Sequence, residues 1–119
     1  MALVIAAVTL SAAILVAACG SSSHTRAAGS TGPSANTIVI KNFAFSPSEL
    51  TVAPGTKVTV RNEDSATHTL TAAAPHDRVF DTGDLAGGAT TTFTAPATPG
   101  SYSYICLMHQ FMHGTLTVR

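Results

Sequence analysis

Near the carboxyl end of the chain, Cys106-Leu107-Met108-His109-Gln110-Phe111-Met112 places a thiol, an imidazole and a thioether at spacing C-x2-H-x2-M. Each of these side chains has an ordinary explanation when it stands alone. A cysteine is a small buried hydrophobe, a methionine fills gaps, and a histidine is a satisfied core or surface residue. Together they form a soft donor set. Sulfur and imidazole nitrogen suit copper, which moves between Cu(I) and Cu(II), and do not suit the hard cations calcium and magnesium. Structural zinc wants four strong Cys or His ligands, which this chain does not readily offer. Two histidines and one cysteine in a plane, with a weak axial methionine, make the arrangement through which copper passes single electrons. Three donors in one loop need the fourth from a strand end on the same rim. His68, preceded by Asn62-Glu63-Asp64-Ser65-Ala66-Thr67, fits that place. The expected ligands of one copper ion are His68, Cys106, His109 and Met112.

Short strands must hold these residues in place. From Thr37 to Lys41 the chain is rich in β-branched residues, and Phe43 and Phe45 continue the alternation as far as Ser46-Pro47. Glu49 to Val52 is a second piece, stopped by Pro54-Gly55, a strong turn pair. Lys57 to Arg61 sets Val58 and Val60 on one face and polar residues on the other. His68 to Thr71 is a further short strand candidate, and Ala72 to Gly88 is loop-like, with Pro75, Gly83 and Gly87-Gly88. Thr90 to Thr94 is β-prone, and Pro99-Gly100 makes the next turn. Ser101 to Cys106 sends Tyr102, Tyr104 and Cys106 to one face, and Gly114 to Arg119 closes the chain with Leu116 and Val118 inward. Strands at this spacing without an amphipathic helix indicate an all-β sandwich or barrel. His76 reads as a solvated loop residue. His113, directly after Met112, reads as a surface residue.

The amino terminus is of another kind. Met1 to Ala18 carries no charged side chain. Two small residues, Ala17 and Ala18, precede Cys19, which resembles the lipoprotein signal in which the chain is cut before the cysteine and the cysteine is acylated. Acyl chains then tie a soluble domain to a membrane. No basic residue precedes Arg26, so the alternatives are a start upstream of Met1 or an uncleaved apolar helix. Gly20 to Asn36 is a Ser, Gly, Ala and Thr tether in which His24 is solvated. The expected organisation is a signal peptide over 1–18, a lipidated Cys19 with its linker over 19–36, and one folded domain over 37–119. Either reading of the amino terminus places that domain outside the cytoplasm.

The 119 residues carry six Lys and Arg, six Asp and Glu and a formal net charge of zero, so no basic excess suits nucleic acid. A unit of this size buries only a modest core.

From Thr37 to Arg119 the sequence resembles the cupredoxins, and its short ligand loop is most similar to that of amicyanin-like small blue-copper proteins. The resemblance rests on Asn42-Phe43-Ala44-Phe45-Ser46-Pro47, Val52-Ala53-Pro54-Gly55-Thr56, Thr67-His68-Thr69, Phe80-Asp81-Thr82-Gly83 and Pro99-Gly100-Ser101-Tyr102-Ser103-Tyr104-Ile105-Cys106. It implies a Greek-key β-sandwich of about seven to eight strands with one type 1 copper near one end. The chain departs from that pattern at Met108 and Gln110, where prolines commonly flank the second histidine. It departs again at Thr69, where many members carry an asparagine whose amide steadies the ligand loop. The resemblance implies a monomeric one-electron carrier rather than an enzyme, docking redox proteins where the ring edge of His109 meets the surface beside Phe111. The competing expectation is a copper-delivery protein, in which Met108, His109, Met112 and His113 hold Cu(I) and pass it on.

Overall fold

The computed structural model describes residues 35–119, so the expectations for Met1–Ala18, Cys19 and His24 fall outside the described residues. Eight strands follow in order: β1 (Thr37–Lys41), β2 (Ala44–Ser46), β3 (Glu49–Val52), β4 (Lys57–Asn62), β5 (Thr71–Ala72), β6 (Thr90–Thr94), β7 (Gly100–Ile105) and β8 (His113–Val118). They form two four-stranded sheets, ordered β2-β1-β4-β6 and β3-β8-β7-β5. β1 runs parallel to β4, and β3 runs parallel to β8. The remaining ladders are antiparallel. This is the expected all-β, Greek-key sandwich. Among the described residues no helix is long and apolar enough to cross a membrane.

Alternation in the sequence becomes burial because successive side chains on a strand face opposite ways. Ile38, Ile40, Val58, Val60 and Phe93 point inward from one sheet, and Leu50, Val52, Tyr102, Tyr104, Leu116 and Val118 from the other. The long segment between β5 and β6 contributes as well. Phe80 stacks on Phe93 at 4.7 Å and 14°, and Leu85 is buried. The Tyr102 hydroxyl donates to the Thr98 carbonyl at 2.6 Å, which pins the turn into β7. Such a tyrosine corner recurs in antiparallel sandwiches. Gly114 pairs with Tyr104 across β7 and β8, and a Cβ there would collide with the tyrosine ring. Only glycine lets the two strands approach beside the ligand loop.

Two segments differ from the pattern read in the sequence. Alternation does not continue through Phe43, because Asn42 and Phe43 form a two-residue hairpin turn with φ of 52° and 58°. Positive φ at both central residues matches the twist of the flanking strands. Asparagine adopts it readily, whereas a bulky side chain there costs about 1–2 kcal/mol. The second difference is at His68 to Thr71, where only Thr71 lies in a strand. His68 makes a lone bridge with Leu85, its N–H donating to the Leu85 carbonyl at 3.1 Å and its carbonyl accepting the Leu85 N–H at 2.8 Å. The bridging partner lies in the segment that reads as loop, so β-propensity alone could not mark it.

Candidate metal centre

Cys106 follows β7, and Met112 precedes β8, so the ligand loop is the connection between two neighbouring antiparallel strands. Its base is closed by two backbone bonds. Cys106 N–H donates to the Met112 carbonyl at 3.1 Å, and Met112 N–H donates to the His109 carbonyl at 2.8 Å. Cys106 and Met112 are buried, and His109 is half-buried. His68 enters from the segment between β4 and β5 and is fully buried.

The loop before His68 is built around Asn62. Its amide donates to the carbonyls of Ala66 at 2.8 Å and Leu85 at 2.9 Å, while its side-chain oxygen accepts the Asp64 N–H at 3.0 Å. A buried amide satisfied on both sides fixes the path of the chain into His68.

Three donor atoms meet at this rim. The Nδ1 atoms of His68 and His109 each lie 3.8 Å from Cys106 Sγ. One donor atom from each of these residues lies within 4.8 Å of the others. Metal bonds to sulfur and imidazole nitrogen are about 2.0–2.3 Å long, so one ion reaches all three. The Asp64 carboxylate lies 2.9 Å from His68 Nε2 and, when ionised, can only accept, so Nε2–H donates to it and Nδ1 is the ring nitrogen that faces the sulfur. The sulfur in turn accepts the Thr69 N–H at 3.4 Å. Donor type and spacing fit a type 1 copper site.

Thr69 takes over the work expected of an asparagine. Its hydroxyl oxygen accepts the Leu107 N–H at 2.9 Å, tying the ligand loop to the segment that carries His68. The Thr69 and Thr71 hydroxyls are 3.1 Å apart, and Thr71 lies 2.9 Å from Asp81 Oδ1. A carboxylate only accepts, so Thr71 gives its single proton to Asp81 and Thr69 gives its own to Thr71. Asp81 is itself held by Gly83 N–H at 2.8 Å and Arg78 at 2.7 Å. The Phe80-Asp81-Thr82-Gly83 segment therefore anchors the far end of a chain that begins at Leu107.

The family model of the cupredoxin-like domain matches residues 9–118. This chain belongs to the cupredoxin family. It is 35% identical over 97 residues to the chloroplastic plastocyanin minor isoform of Arabidopsis thaliana, a match covering 66% of this chain and 52% of that protein. The chain thus spans about half the length of that relative. The purple cupredoxin of Nitrosopumilus maritimus superposes with a TM-score of 0.62 at 26% identity, covering 70% of this chain and 98% of that one. The copper-containing nitrite reductase of Thermus scotoductus superposes with a TM-score of 0.61 at 28% identity, covering 70% of this chain but only 22% of the reductase.

Two residues of this cupredoxin's site went unread in the sequence. Phe43 sets its ring edge-on against both imidazoles, with centroids 5.1 Å from His68 and 5.0 Å from His109. Asp64 receives the Asn42 N–H at 2.7 Å and the Phe43 N–H at 2.9 Å besides the His68 ring. These bonds, led by that from Phe43, hold its carboxyl below the usual carboxylate range. The signal for Asp64 is its place four residues before His68, which an acidic residue in a polar turn also occupies for ordinary reasons. Phe43 is marked in the sequence only as part of the Asn42–Pro47 segment, with nothing that points to the histidines. Of the other histidines, His113 is exposed and bonded through Nδ1 to the Phe111 carbonyl, and His76 is exposed with its ring 4.6 Å from Tyr102. Neither joins the cluster of His68, Cys106 and His109.

Proposed function

We propose that this protein is an electron carrier that holds one copper ion through His68, Cys106, His109 and Met112 and exchanges single electrons with protein partners. The observation that carries the reading is the pair of imidazole Nδ1 atoms each 3.8 Å from one buried cysteine sulfur. Bound there, copper supplies a one-electron couple. The rest is work of the polypeptide. Cys106 would give the strong sulfur bond, His68 and His109 the two imidazole nitrogens, and Met112 a weak thioether donor that tunes the potential. Hydrogen bonds through Thr69 and Asn62 hold the donors in place whether or not an electron is present, so little rearrangement accompanies transfer. His109, half-buried, is the route to the surface. Around it lie the exposed apolar side chains of Leu107, Met108, Phe111 and Phe43, with Phe111 66% exposed. An apolar patch of this kind suits brief docking between redox proteins.

The same proposal covers the rest of the chain. Residues 1–18 act as a lipoprotein-type signal, Cys19 carries the lipid, residues 20–36 are the tether, and 37–119 form a monomeric domain on the outer side of a membrane. The small residues before Cys19 and the polar composition after it support this.

The visible spectrum of the detergent-purified full chain loaded with Cu(II) tests the function. An intense blue band that bleaches with a mild reductant and returns on reoxidation is expected. A colourless protein that binds one copper and gives it up to an acceptor overturns the carrier reading in favour of copper delivery. Cys106→Ser should lose the band, and its persistence would exclude the ligand set. Intact mass of the membrane-extracted protein tests the anchor, and a chain still starting at Met1 would end that part of the proposal.

A further inference from the structure

The Asp64 carboxylate touches three groups drawn from two places in the sequence. Oδ2 accepts His68 Nε2–H at 2.9 Å and the Phe43 N–H at 2.9 Å, and Oδ1 accepts the Asn42 N–H at 2.7 Å. The side chain is only 11% exposed, so water competes weakly for these bonds. Hydrogen bonds to an ionised acceptor are stronger than those between neutral groups. The two backbone donors belong to the hairpin turn whose Phe43 ring leans on both histidines. One carboxylate therefore grips an imidazole by its outer nitrogen and fixes the turn that packs against the face of the site.

The geometry points to Asp64 as a positioning residue of the metal centre, one that commits His68 to the tautomer with Nδ1 free and lends negative charge to that ligand. The inference rests on the copper reading above for its electrochemical consequence, but not for the tautomer. A carboxylate on the outer nitrogen of a ligand histidine fixes its ring orientation and raises its basicity. A more basic ligand favours the higher charge state of the metal, so Cu(II) gains more than Cu(I). Glu63, next in the chain, is the natural comparison. Its carboxylate turns away to Lys41 at 3.3 Å and Arg61 at 2.7 Å and bonds to no ligand.

Two measurements on the full chain test this. In the metal-free protein near pH 8, nitrogen NMR of the imidazoles should show His68 as a single Nε2–H tautomer with slowly exchanging Nε2–H. A mixture of tautomers, or the Nδ1–H form, in the wild type overturns the proposal without need of any variant. In the copper-loaded protein, Asp64→Asn should weaken Cu(II) binding about tenfold more than Cu(I) binding, the smallest change in metal affinity that loss of such a partner usually brings. For a one-electron couple that raises the reduction potential by about 59 mV. Glu63→Gln should leave the potential near that of the wild type. Equal shifts in the two variants would reduce the effect to general charge and overturn the inference. If the wild type forms no blue site, the copper reading fails, and the tautomer measurement still decides the role of Asp64.

Discussion

The backbone N–H of Thr69 points at the sulfur of Cys106 across 3.4 Å, joining two residues 37 positions apart in the chain. This contact ties the end of the His68 segment to the end of β7, so the two sources of metal ligands cannot drift independently. The Thr69 side chain makes a second tie through Leu107 N–H. One residue thus braces the ligand loop twice, once from its backbone and once from its hydroxyl.

Removing the hydroxyl tests the second tie. Thr69→Val keeps the shape and leaves the Leu107 N–H without its acceptor, which should cost about 1–3 kcal/mol. Thr69→Asn restores an acceptor and should recover most of that loss. Urea denaturation of the metal-free variants measures both. A Val variant as stable as the wild type would mean that Leu107 N–H is satisfied by solvent and that the hydroxyl braces nothing.

Much of this was legible in the residues, and the limits have physical causes. Cys106, His109 and Met112 are near neighbours in sequence, and the structure brings His68 to Cys106 and His109 as expected. Strand alternation puts Val58 with Val60 on one face, Tyr102 with Tyr104 on one face, and Leu116 and Val118 inward, and all are buried. Asp64 and Phe43 escaped because their roles depend on a contact between segments 21 residues apart, formed at a turn without glycine. His68 reads as the start of a strand, yet it lies outside the strands and makes only a lone bridge. Its ladder partner Leu85 sits in a stretch whose Gly and Pro content reads as loop.

Asn62 is the next position where one side chain carries a loop. Its three side-chain hydrogen bonds reach Ala66, Leu85 and Asp64. Asn62→Ala should cost about 3 kcal/mol, since buried carbonyls lose their donors as well as the cavity opening. Because the loop leads into His68, the variant should also bind copper more weakly. Denaturant midpoints with and without metal separate the two effects. An unchanged midpoint in the metal-free protein would show that the loop does not depend on this amide.

Tyr104 and Tyr102 should respond oppositely to the same change. The Tyr104 hydroxyl is buried with no hydrogen-bond partner among the described residues, whereas Tyr102 donates to Thr98. Tyr102→Phe should cost about 1 kcal/mol, and Tyr104→Phe should be neutral or stabilising at pH 7. Burial raises the Tyr104 pKa above its ordinary 10.0. A raised folded value means the folded state binds the proton more tightly, so this contribution is complete below the ordinary value and is lost as pH rises beyond it. Tyr104→Phe should therefore flatten the alkaline fall in stability above about pH 10. Urea midpoints at neutral and alkaline pH measure this, and a Phe variant with the same alkaline slope as the wild type would count against it.

The last prediction concerns the surface around His109. Phe111 is 66% exposed and Phe43 42%, their ring centroids 6.4 Å apart, beside exposed Met108. With a formal net charge of zero, two copies of the protein meet without long-range repulsion. Apolar patches around the half-buried His109 can then face each other, and electrons should exchange rapidly between oxidised and reduced copies. Phe111→Lys puts like charges in contact at that interface and removes apolar area. Its electron self-exchange, read from NMR line broadening in mixed oxidation states, should fall at least about tenfold, within the range that interface variants change association rates. Added salt should restore part of the loss, since the introduced repulsion is screened over about 10 Å at 0.1 M. Reduction by a small uncharged reductant should stay near the wild-type rate, because the path through His109 is intact. A self-exchange rate unchanged by Phe111→Lys would move the docking surface away from this patch and leave His109 without its assigned role as the exit for the electron.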